Sequence, residues 1–374
     1  MNVRQIILRE IRLPLREPFR ISTGTMHHRR IVLAELRDGD GHTAWGECVA
    51  AEEPNYSPET VDTAWHALRH WFAPRLIGVQ LPAPEAAFAA LCHHVHGHRM
   101  AMATLEMAVW ALFAVRDGIS LARRLGGVRG VIDVGISLGV QDSPEILADR
   151  AADAVAAGYR RVKLKIGPGA DIAYVEAVRR RTGDGAPLMV DANNAYTLDD
   201  ADLLARLDDF GLMMIEQPLD ADDLVRHAAL QRRLRTPLCL DESITSLERA
   251  EDMMTLGSGR IINIKAGRVG GLAQAVAIHD ACARRDVPVW CGGMLETGIG
   301  RAYNVALASL PNFSIPGDVS PSARYWEKDI VTPEWTTCEP GRIAVPTGRP
   351  GLGVDVDMDR IDGLTVREEV LFGD

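Results

Sequence analysis

The sequence contains five short apolar runs that each end in a charged residue: Val162-Lys163-Leu164-Lys165, Leu188-Met189-Val190-Asp191, Met213-Met214-Ile215-Glu216, Leu238-Cys239-Leu240-Asp241 and Ile261-Ile262-Asn263-Ile264-Lys265. Successive charged ends lie 26, 25, 25 and 24 residues apart. One strand, one helix and two short loops need about that much chain. Repeats of such a unit build a (β/α)₈ barrel, whose catalytic residues lie at the carboxyl ends of its strands. The spacing therefore predicts a barrel with three acids and two lysines around its mouth.

The composition is that of an ordinary globular protein. The chain has 374 residues, of which 47% are hydrophobic and 25% are charged. This length accommodates a large barrel and a smaller second domain. With 41 basic and 51 acidic residues, the net charge of −10 disfavours nucleic acid or an anionic membrane as a partner. We expect no nucleic-acid partner and no membrane partner.

Cellular location is indicated by the N-terminus and by the cysteines. Residues Met1–Glu10 mix charges into the apolar pattern, which is not typical of a signal peptide. No apolar run approaches the ~18 residues of a membrane span. The six cysteines form no Cys-x-x-Cys pair, which favours reduced and mostly buried thiols. The sequence therefore predicts a cytoplasmic protein.

The first 130 residues do not follow the regular spacing. Their predicted elements are strands at Arg4–Leu15, Ile31–Arg37 and Ala44–Cys48, followed by helices at Pro58–Phe72, Pro84–Cys92 and Met100–Val115. Strands grouped before helices indicate a separate α+β domain. Within it, the segment Phe19–His28 contains Ser22, Thr23, Gly24 and Thr25, and is predicted to be a mobile loop.

Strand and helix patterns alternate between residues 131 and 325. The predicted strands are Val134–Val140, Arg161–Ile166, Leu188–Asp191, Met213–Glu216, Leu238–Asp241, Ile261–Lys265, Val289–Cys291 and Phe313–Ile315. Ser143 and Pro144 are predicted to begin the first helix, and Gly158 to end it. Beyond Tyr325 the alternation stops. We therefore predict a barrel at 131–325 and a capping domain at 1–130 that the segment 326–374 completes.

The face alternation of a strand orients the two lysines of the second run. Side chains of Val162, Leu164 and Ile166 share one face, and those of Lys163 and Lys165 share the other. Burial of the apolar face against the outer helices leaves both lysines pointing into the barrel. An isolated Lys-x-Lys pair usually lies on a solvated surface strand. Here the next three strands each end in a carboxylate, which favours a site.

Asp191, Glu216 and Asp241 are predicted to converge on a metal ion. Three neighbouring carboxylates repel one another and resist ionisation unless a cation is present. Ligands that are all oxygen favour Mg²⁺, with Mn²⁺ or another divalent cation as the alternative. Taken singly, each acid is more often a solvated loop end. Because all three acids stand at matching strand ends, a solvated loop end is a much weaker explanation for the three together.

Lys165 and Lys265 are predicted to face each other across the metal, because the second and sixth strands lie on opposite walls of a barrel. One amine could remove the α-proton of a bound carboxylate, and the other could deliver a proton to the opposite face. A lysine base must be neutral, so its pKa must fall from about 10.4 toward about 7–8. Lys163 is expected to lower the pKa of the first lysine in this way. Arg268 is expected either to do the same for the second or to form a salt bridge with a nearby acid.

These residues resemble the enolase superfamily, in its muconate-lactonizing subgroup. The motifs that match it are Lys163-x-Lys165, Asp191-x-Asn193, Glu216-Gln217-Pro218, Asp241-Glu242-Ser243 and Asn263-Ile264-Lys265. Four further segments are similar to the o-succinylbenzoate synthase / N-succinylamino acid racemase family. They are Lys265–Gly271, Cys291–Arg301, His98–Met100 and Pro316–Asp318.

The resemblance implies a (β/α)₇β barrel, an α+β capping domain formed by both termini, and a set of roles. Asp191, Glu216 and Asp241 would be Mg²⁺ ligands, and Lys165 and Lys265 the acid and base catalysts. Lys163, Arg268 and Asn193 would support them. Ser137, Gly293 and Met294 match positions near a succinyl group, and Phe19 with the loop after it matches a lid. For Met294 and Phe19, a place in the core is the simpler alternative.

The resemblance also implies the reaction. It indicates an o-succinylbenzoate synthase, which dehydrates its substrate in menaquinone biosynthesis, an N-succinylamino acid racemase, or a protein with both activities. A dipeptide epimerase is disfavoured because Asp318-Val319-Ser320 stands where such enzymes carry Asp-x-Asp. A muconate-type cycloisomerase is disfavoured by the strand-seven motif, and a non-catalytic barrel that binds a carboxylate is the remaining alternative. We expect a small carboxylate substrate with a succinyl group and a homo-oligomeric protein. The physiological reaction and the preferred amino acid stay open.

Overall fold

The computed structural model describes residues 1–21 and 24–372. Its strands are β1 (Val3–Ile21), β2 (Gly24–Asp38), β3 (Thr43–Glu47), β4 (Val131–Asp133), β5 (Ile136–Leu138), β6 (Val162–Lys165), β7 (Leu188–Asp191), β8 (Ile215–Glu216), β9 (Leu238–Leu240), β10 (Ile261–Ile264), β11 (Val289–Cys291), β12 (Val331–Thr332), β13 (Arg342–Ala344), β14 (Asp355–Val356) and β15 (Thr365–Phe372). They form two main sheets and two short ribbons.

The helices lie mostly between the barrel strands. They are α1 (Val61–Ala67), α2 (Ala86–Cys92), α3 (Arg99–Arg116), α4 (Leu121–Leu125), α5 (Pro144–Ala156), α6 (Ile172–Thr182), α7 (Ala201–Ala205), α8 (Leu224–Gln231), α9 (Leu247–Leu256), α10 (Ala266–Val269), α11 (Leu272–Ala283), α12 (Gly298–Ala308) and α13 (Met358–Leu364). A π-helical turn at Leu68–Phe72 extends α1, and 3₁₀ turns occur at Ala73–Arg75, Leu198–Asp200, Arg206–Phe210 and Ser322–Arg324. Within the described residues, none of the helices is long and apolar enough to cross a membrane.

The barrel sheet is parallel and runs in the order β5-β6-β7-β8-β9-β10-β11. Its strands bury their outward residues, such as Val162 and Leu164, against the surrounding helices. The helix boundaries follow from local chemistry. For α5, Ser143 accepts a hydrogen bond from the Ile146 amide and Pro144 takes the first position, as predicted. The predicted α/β barrel with a preceding capping domain is confirmed.

The predicted eighth strand, Phe313–Ile315, is wrong as a strand. Among the described residues this segment closes the barrel through single parallel bridges only, from Val289 to Phe313 and from Val134 to Gly317. Arginine side chains bond carbonyls in and just after this segment: Arg129 Nη1 donates to Phe313 O at 2.7 Å and Arg161 Nε donates to Pro316 O at 2.7 Å. Pro316 also lacks the amide hydrogen that a regular ladder needs.

The N-terminal sheet is antiparallel, in the order β15-β1-β2-β3, so the C-terminal segment returns to pair with β1. The predicted loop at Phe19–His28 is wrong where the structure describes it, because β1 and β2 pair as far as Ile21 and Gly24. Phe19 pairs with Met26 in this extension, and alternating apolar residues favour such pairing. Ser22 and Thr23 lie outside the described residues.

The capping domain approaches the barrel closely at the glycine-rich segment after β10. A Cβ atom on Gly267 would lie 2.5 Å from Val49 Cγ2, and one on Gly271 would lie 2.1 Å from Glu106 Oε2. Gly271 also has a φ of +124°, which disfavours other residues. The glycines after Lys265 therefore serve domain packing.

Glu106 joins the two domains from inside the core. This fully buried side chain of α3 accepts hydrogen bonds from the amides of Leu272 at 2.7 Å and Ala273 at 3.0 Å, at the start of α11. Trp110 Nε1 donates a third at 2.8 Å. Burial raises the pKa of Glu106 to about 7, against the opposing effect of these donors. The glutamate thus caps a barrel helix from the capping domain.

We predict that Glu106→Ala lowers the free energy of unfolding by about 2–4 kcal/mol, because two buried amides and an indole lose their acceptor. Denaturant unfolding at pH 8 measures it. Glu176→Ala is the control, since it removes an exposed pair with Arg180 on α6 and is expected to cost about 0.5 kcal/mol or less. Equal costs for the two variants would contradict the capping role.

Candidate active site

Parallel pairing brings the charged strand ends together at the carboxyl edge of the sheet. Lys165 is the register partner of Asp191, and Asp191 is the partner of Glu216. Glu216 is level with Cys239, so Asp241 lies two residues further along its strand. Lys265 follows the end of β10. Barrel strands are tilted, so the pairing register shifts along the sequence from one strand to the next. The charged residues therefore remain at the same end of the barrel although their register positions differ.

The first lysine lies among polar partners. Lys165 Nζ donates to Asp191 Oδ2 at 2.6 Å and to the side-chain oxygen of Asn193. Asn193 is oriented by its own contacts, because its amide nitrogen Nδ2 donates to Glu242 Oε1 at 2.9 Å. Its backbone nitrogen donates to Asp191 Oδ1 at 3.0 Å. The amine is therefore held between an acid and an amide.

The second lysine lies in a different network. Lys265 Nζ donates to Asp241 Oδ2 at 2.8 Å and to Tyr56 Oη at 3.0 Å. Arg268 contacts the same two residues, through an ion pair with Asp241 Oδ1 and a 3.0 Å bond to Tyr56 Oη. It also donates to the carbonyls of Ile244 and Asn263. Of the two predicted roles for Arg268, the structure shows the salt bridge.

Lys163 lies deeper in the barrel. Its Nζ atom pairs with Asp318 Oδ2 at 2.6 Å, Glu216 Oε2 at 3.3 Å and Asp191 Oδ2 at 3.4 Å. Arg161 donates to the other oxygen of Asp318 at 2.5 Å. Both oxygens of Asp318 are thereby engaged by buried cations.

The protein's own charges set the protonation of this cluster. Burial by itself lowers the pKa of Lys265, but Tyr56, Glu242 and Glu216 outweigh burial and raise it above its ordinary value. The prediction that the pKa of Lys265 is lowered is therefore wrong when only the protein's own charges are present. Its physical reason is that acidic and phenolic neighbours surround the amine, while Arg268 is paired with Asp241. Burial raises the pKa of Glu216, and Asp191 adds to the effect.

One cavity connects the predicted substrate residues to the lysines. Its volume is about 100 Å³, and it opens to solvent. The sequence-predicted residues that line it are Phe19, Ser137, Lys163, Lys165, Asn193, Lys265, Gly293 and Met294. Phe19 stands edge-on to Tyr325 at 6.2 Å between ring centroids. Met294 both lines the cavity and packs against the core, so its two predicted places coexist.

The strand-seven glycines leave room for this arrangement. A Cβ atom on Gly292 would lie 2.7 Å from Lys265 Cε, and one on Gly293 would lie 2.6 Å from the Asp318 carbonyl oxygen. Any larger residue would displace the second lysine or the segment that carries Asp318. The Gly-Gly pair is thus needed by the site's packing.

The donor set fits a divalent cation. Asp191, Glu216 and Asp241 are 1%, 0% and 1% exposed and offer oxygen only, as hard cations require. Glu242 Oε2 is a further buried oxygen, and it has no hydrogen-bond partner in the described part of the chain. In the structure each of the three carboxylates is engaged by a lysine.

The carboxylates of the proposed ligands are not gathered into a tight cluster. Within the described part of the chain, three potential ligand atoms come within 4.8 Å of one another only at Asp38, Asp40 and His42. That group is a turn, in which Asp38 Oδ1 accepts from the backbone nitrogens of Asp40 and His42.

Several residues of the site were not foreseen from the sequence. Tyr56 lies in an irregular segment before α1, where no periodicity indicates its direction. Arg161 and Asn263 are inward residues of barrel strands, and face alternation could have indicated both. Asn263 Nδ2 donates to Glu216 Oε1 at 2.8 Å. Arg29 lines the cavity from β2, which belongs to the capping domain.

Known proteins share this architecture along the whole chain. Residues 3–126 match the N-terminal domain of the mandelate racemase / muconate lactonizing enzyme family, and residues 147–360 match the enolase C-terminal domain-like family. A solved structure of an enolase superfamily member from Listeria innocua Clip11262 is 40% identical, with a TM-score of 0.96, and the match covers 100% of this chain and 99% of that one.

Curated relatives narrow the family. The chain is 50% identical to an o-succinylbenzoate synthase of Geobacillus kaustophilus, over 98% of this chain and 96% of the relative. It is 48% identical to an N-succinylamino acid racemase of Amycolatopsis sp, over 98% of both chains. The chain therefore belongs to the enolase superfamily, in the family that contains the o-succinylbenzoate synthases and N-succinylamino acid racemases.

We predict that Glu216→Gln weakens Mn²⁺ binding by about tenfold or more, because a charged ligand becomes neutral. Titration calorimetry of the substrate-free protein measures this. Asp40→Asn is the matched control and should bind as the wild type does. Weaker binding in Asp40→Asn together with unchanged binding in Glu216→Gln would instead place the cation at the β2–β3 turn.

Proposed function

We propose that the protein is an Mg²⁺-dependent enzyme that removes the proton α to a carboxylate of a succinylated substrate. It would act as an o-succinylbenzoate synthase, as an N-succinylamino acid racemase, or as both. One observation carries this proposal: Lys165 from β6 and Lys265 from the end of β10 line the same cavity. The relatives named above support the substrate class. Members of the superfamily use a divalent metal, and we propose Mg²⁺ here, with Mn²⁺ as a substitute.

The acids and lysines divide the work. Asp191, Glu216 and Asp241 would hold the cation, which would stabilise negative charge on the substrate carboxylate and offset the acidic charge around the lysines. Lys165 takes the α-proton, while Asn193 and Asp191 keep its amine in place. Hydrogen bonds from Asn193 to Asp191 and to Glu242 hold these side chains in one conformation, so the amine of Lys165 keeps its position.

The two reactions use the second lysine differently. In the dehydration, Lys165 removes the α-proton and then gives a proton to the departing hydroxyl group on the same face, so that water leaves, while Lys265 remains a cation beside the developing negative charge. In the racemisation, Lys265 delivers a proton to the opposite face, and in the reverse direction the two lysines exchange roles. Tyr56 and Asp241 hold Lys265 for either task. Arg268 acts through these two residues.

The substrate arm would lie at the strand-seven end. We propose that Ser137, Gly293 and Met294 contact the succinyl group and that Phe19 covers the side chain of the substrate. The Ser137 hydroxyl supports this role, because it is buried and no described residue forms a hydrogen bond with it. The Gly293 backbone has no side chain to block approach.

The alternatives fit the site less well. A dipeptide epimerase needs acids free to bind an ammonium group, but Arg161 and Lys163 engage both oxygens of Asp318. Ser320 occupies the second acidic position and is buried. A cycloisomerase is disfavoured by the Gly292-Gly293-Met294 segment. A non-catalytic carboxylate-binding barrel is the alternative that the assays below exclude or support.

We also propose a cytoplasmic homo-oligomer with a capping domain at 1–130 and 326–374 and a barrel at 131–325. The pairing of β15 with β1 supports the return of the C-terminal segment to the capping domain. The six unpaired cysteines, four of them buried, support a reducing compartment.

The assay that tests the reaction uses the Mg²⁺-loaded protein in D₂O. We expect both enantiomers of N-succinylphenylalanine to exchange their α-proton, and the cyclohexadiene precursor to yield o-succinylbenzoate. NMR detects exchange and ultraviolet absorbance detects the aromatic product. Binding of these compounds without exchange or dehydration would instead support the non-catalytic alternative.

Substitution of each lysine tests the two-base arrangement. We predict that Lys165→Ala and Lys265→Ala each lower turnover by about 10³-fold or more, because each removes either an amine that transfers a proton or the ammonium group that stabilises the developing negative charge. Each variant should still bind substrate. Lys328→Ala removes an exposed lysine that pairs with Asp357, and this control should retain full activity. Wild-type turnover in either active-site variant would reject the assignment.

A further inference from the structure

Arg29 is a buried cation on the capping-domain side of the cavity. It belongs to β2, lines the cavity and is 4% exposed. Its one hydrogen bond among the described residues runs from Nη2 to the Val49 carbonyl, at 3.3 Å. Its Nε atom is buried, and none of the residues that the structure describes accepts a hydrogen bond from it. A guanidinium has five donor hydrogens, so most of the donor capacity of Arg29 is unused.

The other buried arginines of the site are fully engaged. Arg161 donates to Pro316 O, to Met189 Sδ and to Asp318. Arg268 pairs with Asp241 and with backbone carbonyls. By contrast, no carboxylate of the described residues lies within 4.0 Å of the Arg29 nitrogens.

Nearby acids compensate the charge of Arg29 only from a distance. Burial lowers the pKa of Arg29 from its ordinary value, while Glu47 and Glu296 oppose that effect. Glu47 is occupied by the start of α12, where it accepts from the Thr297 and Gly300 amides. Glu296 accepts from Asn304 Nδ2 at 2.9 Å. These acids make a buried cation tolerable without using its donors.

The remaining cations of the cavity have acidic partners. Lys163, Lys165 and Lys265 each pair with a carboxylate at 2.8 Å or less. A second carboxylate on the substrate would be a buried anion and would need a cation with free donors. Arg29 meets that need, and Gly293 and Met294 line the same cavity.

We propose that Arg29 binds the carboxylate at the far end of the substrate's succinyl arm. This assignment deepens the proposed function and depends on it. A guanidinium can hold a carboxylate through two parallel hydrogen bonds, which an ammonium cannot reproduce. The α-carboxylate and the distal carboxylate would then be held from opposite sides, one by the barrel and one by the capping domain. Substrates without the second carboxylate would lose that anchor.

The test compares two probes of equal size in the Mg²⁺-loaded protein. N-succinylphenylalanine carries the distal carboxylate, and N-succinamylphenylalanine carries an amide in its place. Titration calorimetry should show that the wild type binds the first probe about 10- to 100-fold more tightly. Arg29→Gln should abolish this preference, and Arg29→Lys should retain part of it. Arg30→Gln is the matched control, because Arg30 pairs with Glu10 and Asp62 outside the cavity and should keep the wild-type ratio.

Each outcome bears on the assignment. Equal binding of the two probes by the wild type would overturn it, as would an unchanged preference in Arg29→Gln. If Arg29→Gln loses affinity for both probes equally, Arg29 has a structural role and the assignment is overturned. If Arg29→Gln does not fold, Arg29→Lys decides, since an undiminished preference there overturns the bidentate contact. Absence of proton exchange in D₂O, together with a preference lost in Arg29→Gln, would reject the proposed reaction while supporting the anchor.

Discussion

Mutual compensation of buried charges at the barrel mouth is the interaction on which the site depends. Its members are Arg161, Lys163, Lys165, Lys265 and Arg268 on the cationic side, and Asp191, Glu216, Asp241 and Asp318 on the acidic side. A buried charge that loses its partner is strongly destabilising, so these groups fix one another's positions and protonation. A cation or substrate that enters the site must therefore exchange partners with residues already in place.

The capping domain is the second constraint, because it closes the cavity and supports the barrel helices. Glu106 from α3 and Glu47 from β3 cap the amino ends of α11 and α12. Gly267 lets Val49 approach the backbone just after the second lysine. The same domain carries Tyr56 and Arg29 into the cavity. The residues that line the cavity and the residues that pack the two domains together therefore share one interface.

Much of the fold follows from the sequence, and the errors have physical causes. Three of the five apolar runs end where their strands end, at Lys165, Asp191 and Glu216, and β9 and β10 end one residue before Asp241 and Lys265. The agreement is close because burial on both faces of a parallel sheet leaves a clear signal. The strand predicted at Phe313–Ile315 was wrong because its ladder is incomplete, and the Phe313 carbonyl accepts from the Arg129 side chain and not from a neighbouring strand. The loop predicted at Phe19–His28 was wrong because Gly24 and Thr25, residue types that are common in loops, here begin strand β2. The pKa of Lys265 depends on through-space charges that the sequence does not place.

The sequence by itself determined the barrel and the inward direction of Lys163 and Lys165, and it predicted the acids at the strand ends. These properties depend on periodicity within one strand or one repeat unit, which a linear pattern records. Only the tertiary structure decided that Arg268 pairs with Asp241, that Arg161 and Lys163 engage Asp318, and that Arg29 reaches the cavity with unused donors. Such pairings join residues from different elements and domains, and their distances and burial arise only when the chain packs.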